Sequence, residues 1–322
     1  MAIMVPDRKY TNLGIAVGVC FLLYVLGFTS FFFVLPLLIF FTQSGQRDQT
    51  LISLVGLLIA VLLFEIIPVR NNLSDPTSAG LLSIGLFLPI VLVGCSIVWV
   101  LLSSYRLLVR YIGSSIFIVA TIVIFGWFLK LHPDISKGID DAIVSLLNTL
   151  FSGSNVHPLD SALLPNVSSA ELYKVIKNLM LVMLLPLSAA IFGFNAFISI
   201  SSPSYLGDTK FDERVASWKL PETLVWFFLA SWLLVLFDQL FGINSTLKIG
   251  VWNIALFLGI LYAVQGLAII LYKLNAKGKK IRAVKLFMIV TILTILLQGL
   301  NIGIVLGLPI LGVTETWFTY RK

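Results

Sequence analysis

Charge is scarce in this chain: Asp, Glu, Lys and Arg make up 11% of its 322 residues, while 59% are hydrophobic. That balance excludes a string of ordinary soluble domains. Cysteine is nearly absent. Cys20 and Cys95 both lie inside apolar runs with no metal-spaced cluster around them, which excludes a disulfide framework and reads them as small hydrophobes. Of histidines there are only His132 and His157, in one segment far from any candidate nucleophile. There is no His-Glu-x-x-His, no Gly-x-Ser-x-Gly, no P-loop and no Gly-Asp pair inside a span. These absences point away from an enzyme, a metal site or a bound cofactor. The net charge of +7 is not a nucleic-acid signal, because no basic stripe carries interleaved stacking aromatics. The two halves show no duplication, so an inverted-repeat transporter is not supported.

What the chain has is long apolar runs, with a mean hydropathy of +1.03. Runs of about 18 or more uncharged residues read as membrane-spanning helices. The expected fold is therefore all-α, a polytopic transmembrane bundle of about eight to ten segments, forming a single integral membrane domain over residues 1–322. Arg8 and Lys9 precede the first run without a small-residue cleavage site, which reads as an uncleaved helix. That run, 13–42, is too long for one crossing. Gly27, Thr29 and Ser30 interrupt it before Pro36, so a hairpin of two short helices, about 12–27 and 30–42, is expected. One long tilted helix is the alternative, and it separates Arg8 and Lys9 from Arg47 across the bilayer. Crossings are expected at 51–69, 81–102, 107–130, 179–200, 221–242 and 247–272. The last run, 283–318, again exceeds one crossing, and Gly307 and Pro309 are the expected break.

Between 132 and 171 the chain leaves the membrane as an external segment, rich in acidic residues with Lys137 as its one interior base. Ile135, Ile139, Ile143, Leu146, Leu147 and Leu150 recur there at helical spacing. With Asp134 as N-cap they predict an amphipathic helix that lies flat on the outer leaflet or caps a cavity.

Orientation follows from the bases. Lys273, Lys277, Lys279, Lys280, Arg282 and Lys285 crowd one loop, and Lys and Arg are retained on the cytoplasmic side. The loops read as cytoplasmic hold fourteen Lys and Arg and the outer segments six, with Arg321 and Lys322 left over. The N-terminus is thus expected in the cytoplasm, and the protein in the membrane that bounds it.

Ionisable groups inside the membrane are costly, at least about 2.5–3.5 kcal/mol near its centre, so they are the first functional candidates. Glu65 and Asp238 qualify, both toward the outer ends of their helices. They are candidates to share an outward-facing cavity for a cation or proton; the plainer alternative is hydration at the interface. Asn195, Asn253, Gln265, Gln298 and Asn301 also lie at depth and read as interhelical glue or ligand contacts. Arg106 and Arg110 share a helix face and read as snorkelling to the cytoplasmic interface, or as contacts for an anionic ligand or lipid head. Gly14 and Gly18 form one small-residue ladder; Gly299, Gly303 and Gly307 form another. Both permit close helix approach, within the chain or with a partner.

Several pieces resemble the YybS-like family of uncharacterised bacterial membrane proteins, the domain-of-unknown-function family 2232. They are Trp218-Lys-Leu-Pro221, Asn253, Leu261-Tyr-Ala-Val-Gln-Gly-Leu-Ala-Ile-Ile270 and the ending Leu311-Gly-Val-Thr-Glu-Thr-Trp-Phe-Thr-Tyr-Arg-Lys322, with Pro36 and Gly45 after the short second helix. Glu315 stands where the family usually has Asp, and Gln43 where a base is expected. Such proteins look distantly similar to substrate-binding S subunits of energy-coupling-factor transporters and to the cell-shape protein MreD. The S-subunit likeness implies a small-molecule-binding transport component with Glu65, Asp238, Asn253 and Gln265 as cavity lining. It also implies a coupling membrane subunit and ATPases as partners beside the lipid bilayer, with Gly14 and Gly18 as docking face. A non-transporting scaffold for envelope assembly or cell shape is the alternative.

Overall fold

The computed structural model describes residues 8–27, 29–72, 74–153, 169–202, 210–242, 244–279, 281–296 and 300–321, and every regular element among them is helical. The chain forms two compact units, Met1–Asn195 and Ala196–Lys322.

Unit 1 opens with the expected hairpin. Helix α1 (Arg8–Val25) ends at Gly27, whose φ of 72° a side chain would strain, and the Thr29 hydroxyl donates to the Leu23 carbonyl at 2.7 Å. A 3-10 turn, Ser30–Phe32, leads into α2 (Leu35–Ser44), which Pro36 starts without loss because the first N–H groups of a helix lack partners anyway. Gly45, at φ 67°, closes α2 by donating to the Phe41 carbonyl. Helices α3 (Arg47–Val69), α4 (Pro76–Leu101) and α5 (Leu107–Leu131) follow. Asp75 caps α4 by accepting from the Ser78 N–H at 3.0 Å.

Helix α6 (Pro133–Gly153) is the amphipathic helix, but it starts two residues earlier than expected, so Asp134 sits in the first turn rather than at the cap. A carboxylate there still favours the positive helix end. The first part of its apolar face does not lie on lipid. Glycines let it press on α4: a Cβ on Gly138 would stand 2.4 Å from the Pro76 carbonyl oxygen, and one on Gly80 2.8 Å from Ile139. Asp140 then accepts from the Tyr173 hydroxyl and pairs with Lys177 at 2.7 Å, tying α6 to α7 (Ser169–Ser201). Leu146, further along, stays exposed. His157 and the rest of 154–168 fall outside the described residues.

Unit 2 holds a short helix α8 (Lys210–Ala216), then α9 (Leu224–Phe241), α10 (Ser245–Ala276), α11 (Ala283–Leu296) and α12 (Leu300–Thr314). The long last run does divide, but not at Gly307 and Pro309, which lie inside α12. Residues 297–299, between the two helices, lie outside the described residues, and proline is tolerated within membrane helices where neighbours satisfy the freed carbonyl. The Ala283 N–H donates to Asp212, and Arg321 donates to the carbonyls of Ala216 and Trp218. The α11–α12 hairpin thus leaves and returns at the α8 end of the unit. The described parts of its arms, 14 and 15 residues, reach about 21 and 22 Å, against the ~30 Å of the hydrocarbon core.

Among the described residues six helices are long and apolar enough to cross a membrane, and four further apolar helices are shorter. Ile52 and Leu63 on α3, Ile116 and Trp127 on α5, and Leu233 on α9 remain more than half exposed. In water such a surface would aggregate; facing lipid tails it is stable, because each helix satisfies its own backbone.

Candidate functional site

Glu65 lies on α3, five residues before Arg70, about 7.5 Å along the axis from that end. The Tyr24 hydroxyl at the end of α1 donates to its Oε1 at 2.5 Å. Aromatic rings line the approach: Tyr24 stands 5.4 Å from Phe33 and 6.2 Å from Phe64, and Phe64 stands 5.7 Å from Phe21. The other oxygen faces the small-residue notch at Gly85 of α4, where a Cβ would lie 3.9 Å from Oε2. No described residue bonds that oxygen. A carboxylate with one oxygen fixed and one open, beside aromatic rings, suits a cation or a proton.

In unit 2 the candidates are arranged differently. Asp238, near the end of α9 and 4% exposed, faces the Lys248 ammonium of α10 at 3.2 Å. The Asn253 amide donates to the Ile249 carbonyl of its own helix. Gln265 is twelve residues further along α10, about 18 Å away, so it shares no cavity with Asn253. Asn195, in unit 1, bridges to the Phe31 carbonyl at 2.8 Å, an interhelical tie.

Gln265 belongs to a polar knot that sequence reasoning treated only as separate fragments. Its Oε1 accepts from the Leu220 N–H at 2.9 Å, and its Nε2 donates to the Gly312 carbonyl and to Glu315. Arg321 grips Glu315 with two bonds, Nε to Oε1 at 2.7 Å and Nη2 to Oε2 at 2.6 Å. The fork of a guanidinium matches a carboxylate in this way. Glu315 and Arg321 were missed as a site; the available signal was an acid six residues before a base at the end of an apolar tail. Beside the knot, a cleft of about 350 Å³ is lined by Glu213, Ala216, Ser217, Tyr272, Asn275 and Ala276.

The glycine ladders do not supply the closest contacts. A Cβ on Gly14, Gly18, Gly303 or Gly307 would meet nothing within 4 Å, and Gly299 lies outside the described residues. Close approach occurs instead at Gly266 and Gly312, where a Cβ would come within 2.2 Å of the Leu308 carbonyl oxygen and 2.1 Å of the Tyr262 carbonyl oxygen. No cluster of three or more His, Cys, Asp or Glu suited to a metal occurs among the described residues.

Helices of this length, apolar outside and closed by buried polar ties, define a multi-pass helical membrane protein. Residues 13–310 match the model of a family described as predicted membrane protein, DUF2232, and the chain belongs to that family. No curated protein matches it, and no solved structure does.

Proposed function

We propose that the protein is the ligand-binding membrane component of a transport system of the bacterial inner membrane, with Glu65 as the cation-binding group. The observation that carries this reading is the open Oε2 of Glu65, a carboxylate in a membrane helix with only Tyr24 bonded to it. Asp238 and Gln265 leave the expected lining, because their polar atoms serve Lys248 and the Glu315 knot. Energy comes from a coupling membrane subunit and ATPases, since the chain carries no nucleotide-binding motif. The exposed face of α1, with Gly14, Gly18, Ile15 and Val19 all outward, supports docking of the membrane subunit there. The chain performs no covalent chemistry in this reading.

A second reading, a scaffold for envelope assembly or cell shape, is favoured by the internally partnered charges of unit 2. Affinity purification from native membranes in mild detergent, with mass spectrometry of co-eluting proteins, separates the two. An ATPase pair with a membrane subunit is the expected result; morphogenesis proteins in their place overturn the transport reading. Glu65→Gln then tests the site. Protein abundance should stay at the wild-type level while uptake of the cationic substrate falls at least about tenfold, the scale of a lost charge-assisted contact.

A further inference from the structure

Helices α4 and α5 are joined through residues 102–106 and locked by a reciprocal pair. The Ser114 hydroxyl donates to the Cys95 carbonyl at 3.1 Å, and the Cys95 thiol donates to the Ser114 carbonyl at 3.3 Å. One turn nearer the connection on each helix stand Trp99 and Arg110. Arg110 does not extend outward: where its neighbour Arg106 is exposed, it is only 9% exposed. Its guanidinium carbon stands over the Trp99 ring, 4.0 Å from the centroid, and its Nε donates to the Trp99 carbonyl at 3.2 Å. Phe192 of α7 also packs on Trp99, in a T-shaped contact at 5.9 Å.

Two features of this arrangement are unfinished. Neither terminal nitrogen of Arg110 has a partner among the described residues, and no described carboxylate pairs with it. The indole N–H of Trp99, a residue only 3% exposed, has no acceptor either. A guanidinium withdrawn from most of its water without an anion is costly to hold, and its terminal nitrogens stay within reach of a ligand. A ring face and one carbonyl relieve that cost only in part.

We propose that Arg110 and Trp99 form a binding site for a phosphate group at the α4–α5 end of unit 1. The planar fork of Arg110 supplies two parallel N–H bonds, the geometry that suits phosphate oxygens. Arg110 is three residues inside α5, about 4.5 Å from Leu107, so the positive end of that helix adds to the attraction. That level is where a bilayer keeps its phosphates, and an anionic lipid headgroup is the natural source; a free phosphate or phosphoester from the cytoplasm offers the same chemistry. The site is independent of the Glu65 reading and of any transport activity.

The test is native mass spectrometry and thermal unfolding of the full-length protein in detergent with three probes: phosphatidylglycerol, diacylglycerol with the same tails, and inorganic phosphate. Phosphatidylglycerol should bind and raise the unfolding temperature, and diacylglycerol should do neither. Arg110→Gln should weaken phosphatidylglycerol binding at least about tenfold, while Arg106→Gln leaves it unchanged. Inorganic phosphate that protects as well as the lipid assigns the site to a soluble phosphate; phosphate without effect assigns it to the lipid. Equal binding of the two lipids overturns the proposal, and so does undiminished binding by Arg110→Gln. Where that variant does not fold, Trp99→Phe keeps a ring under the guanidinium and removes the N–H. Its binding should be several-fold weaker, and unchanged affinity overturns the two-donor site.

Discussion

The two units treat their ionisable residues in opposite ways. In unit 2 both buried carboxylates face a base, although Lys248 itself is about half exposed. Asp238 meets Lys248, and Glu315 takes both Arg321 and Gln265, while Arg321 uses its remaining amino group on the Ala216 and Trp218 carbonyls. In unit 1, Glu65 and Arg110 are each held from one side only, by Tyr24 and by Trp99. Asp140 and Lys177 of unit 1 do pair, but both remain a third or more exposed, where an ion pair contributes little. Membrane interiors make bonding capacity without a partner costly. On the readings proposed above, a closed network marks architecture and an open one a place where something else binds.

The hardest test of this contrast removes one member of the closed knot. Glu315→Gln leaves the Arg321 guanidinium buried without its anion, and the expected loss is about 3–5 kcal/mol of stability. Chemical unfolding of the purified protein should show it, and Glu315→Met combined with Arg321→Met should be no worse than the single change. Unfolding of Glu315→Gln at the wild-type midpoint would break the contrast. The knot also depends on α10 and α12 lying close enough for Gln265 to reach Gly312. Gly266→Ala or Gly312→Ala drives a methyl into a backbone carbonyl that cannot rotate away, and should cost about 1–3 kcal/mol. Gly307→Ala, which meets open space, should stay within about 0.5 kcal/mol. Equal effects at the three positions would show that packing around the knot is looser than the carbonyl distances imply.

The same glycines show where sequence reading succeeds. The all-α fold, the hairpin at the start and the amphipathic helix follow from hydropathy and from turn residues such as Gly27 and Thr29, which act locally. Glu65 was legible for the same reason, since an acid in an apolar run needs no partner to be noticed. Contacts between distant residues leave no such trace. Gly266 lies in no ladder, yet it touches Leu308, while the regularly spaced Gly303 and Gly307 meet nothing within 4 Å in this chain. Arg110 reads as a snorkelling base because the Trp99 ring that holds it lies eleven residues back on another helix. Gln265, Glu315 and Trp218 stood out as separate fragments of a family likeness, and only the fold brings them together.

If closure, rather than location in one unit or the other, decides how a carboxylate behaves, a closed carboxylate of unit 1 should resemble those of unit 2 on a smaller scale. Asp75 is that case. It lies outside the spans, and bonds from the backbone N–H and hydroxyl of Ser78 hold its carboxyl below the ordinary carboxylate value. A group whose value is depressed by folding contributes stability above its unfolded value and loses it as pH falls through the folded one. The cap is therefore complete at neutral pH and is lost only on acidification below the usual carboxylate range. Hydrogen exchange at the Ser78 and Ala79 amides, in the first turn of α4, should show protection falling with acid in the wild type. Asp75→Asn caps the helix at any pH, so the same amides should lose that dependence. A matching acid response in both proteins would mean that the first turn of α4 is held by α6 at Gly138 instead, and that closure at Asp75 does no structural work.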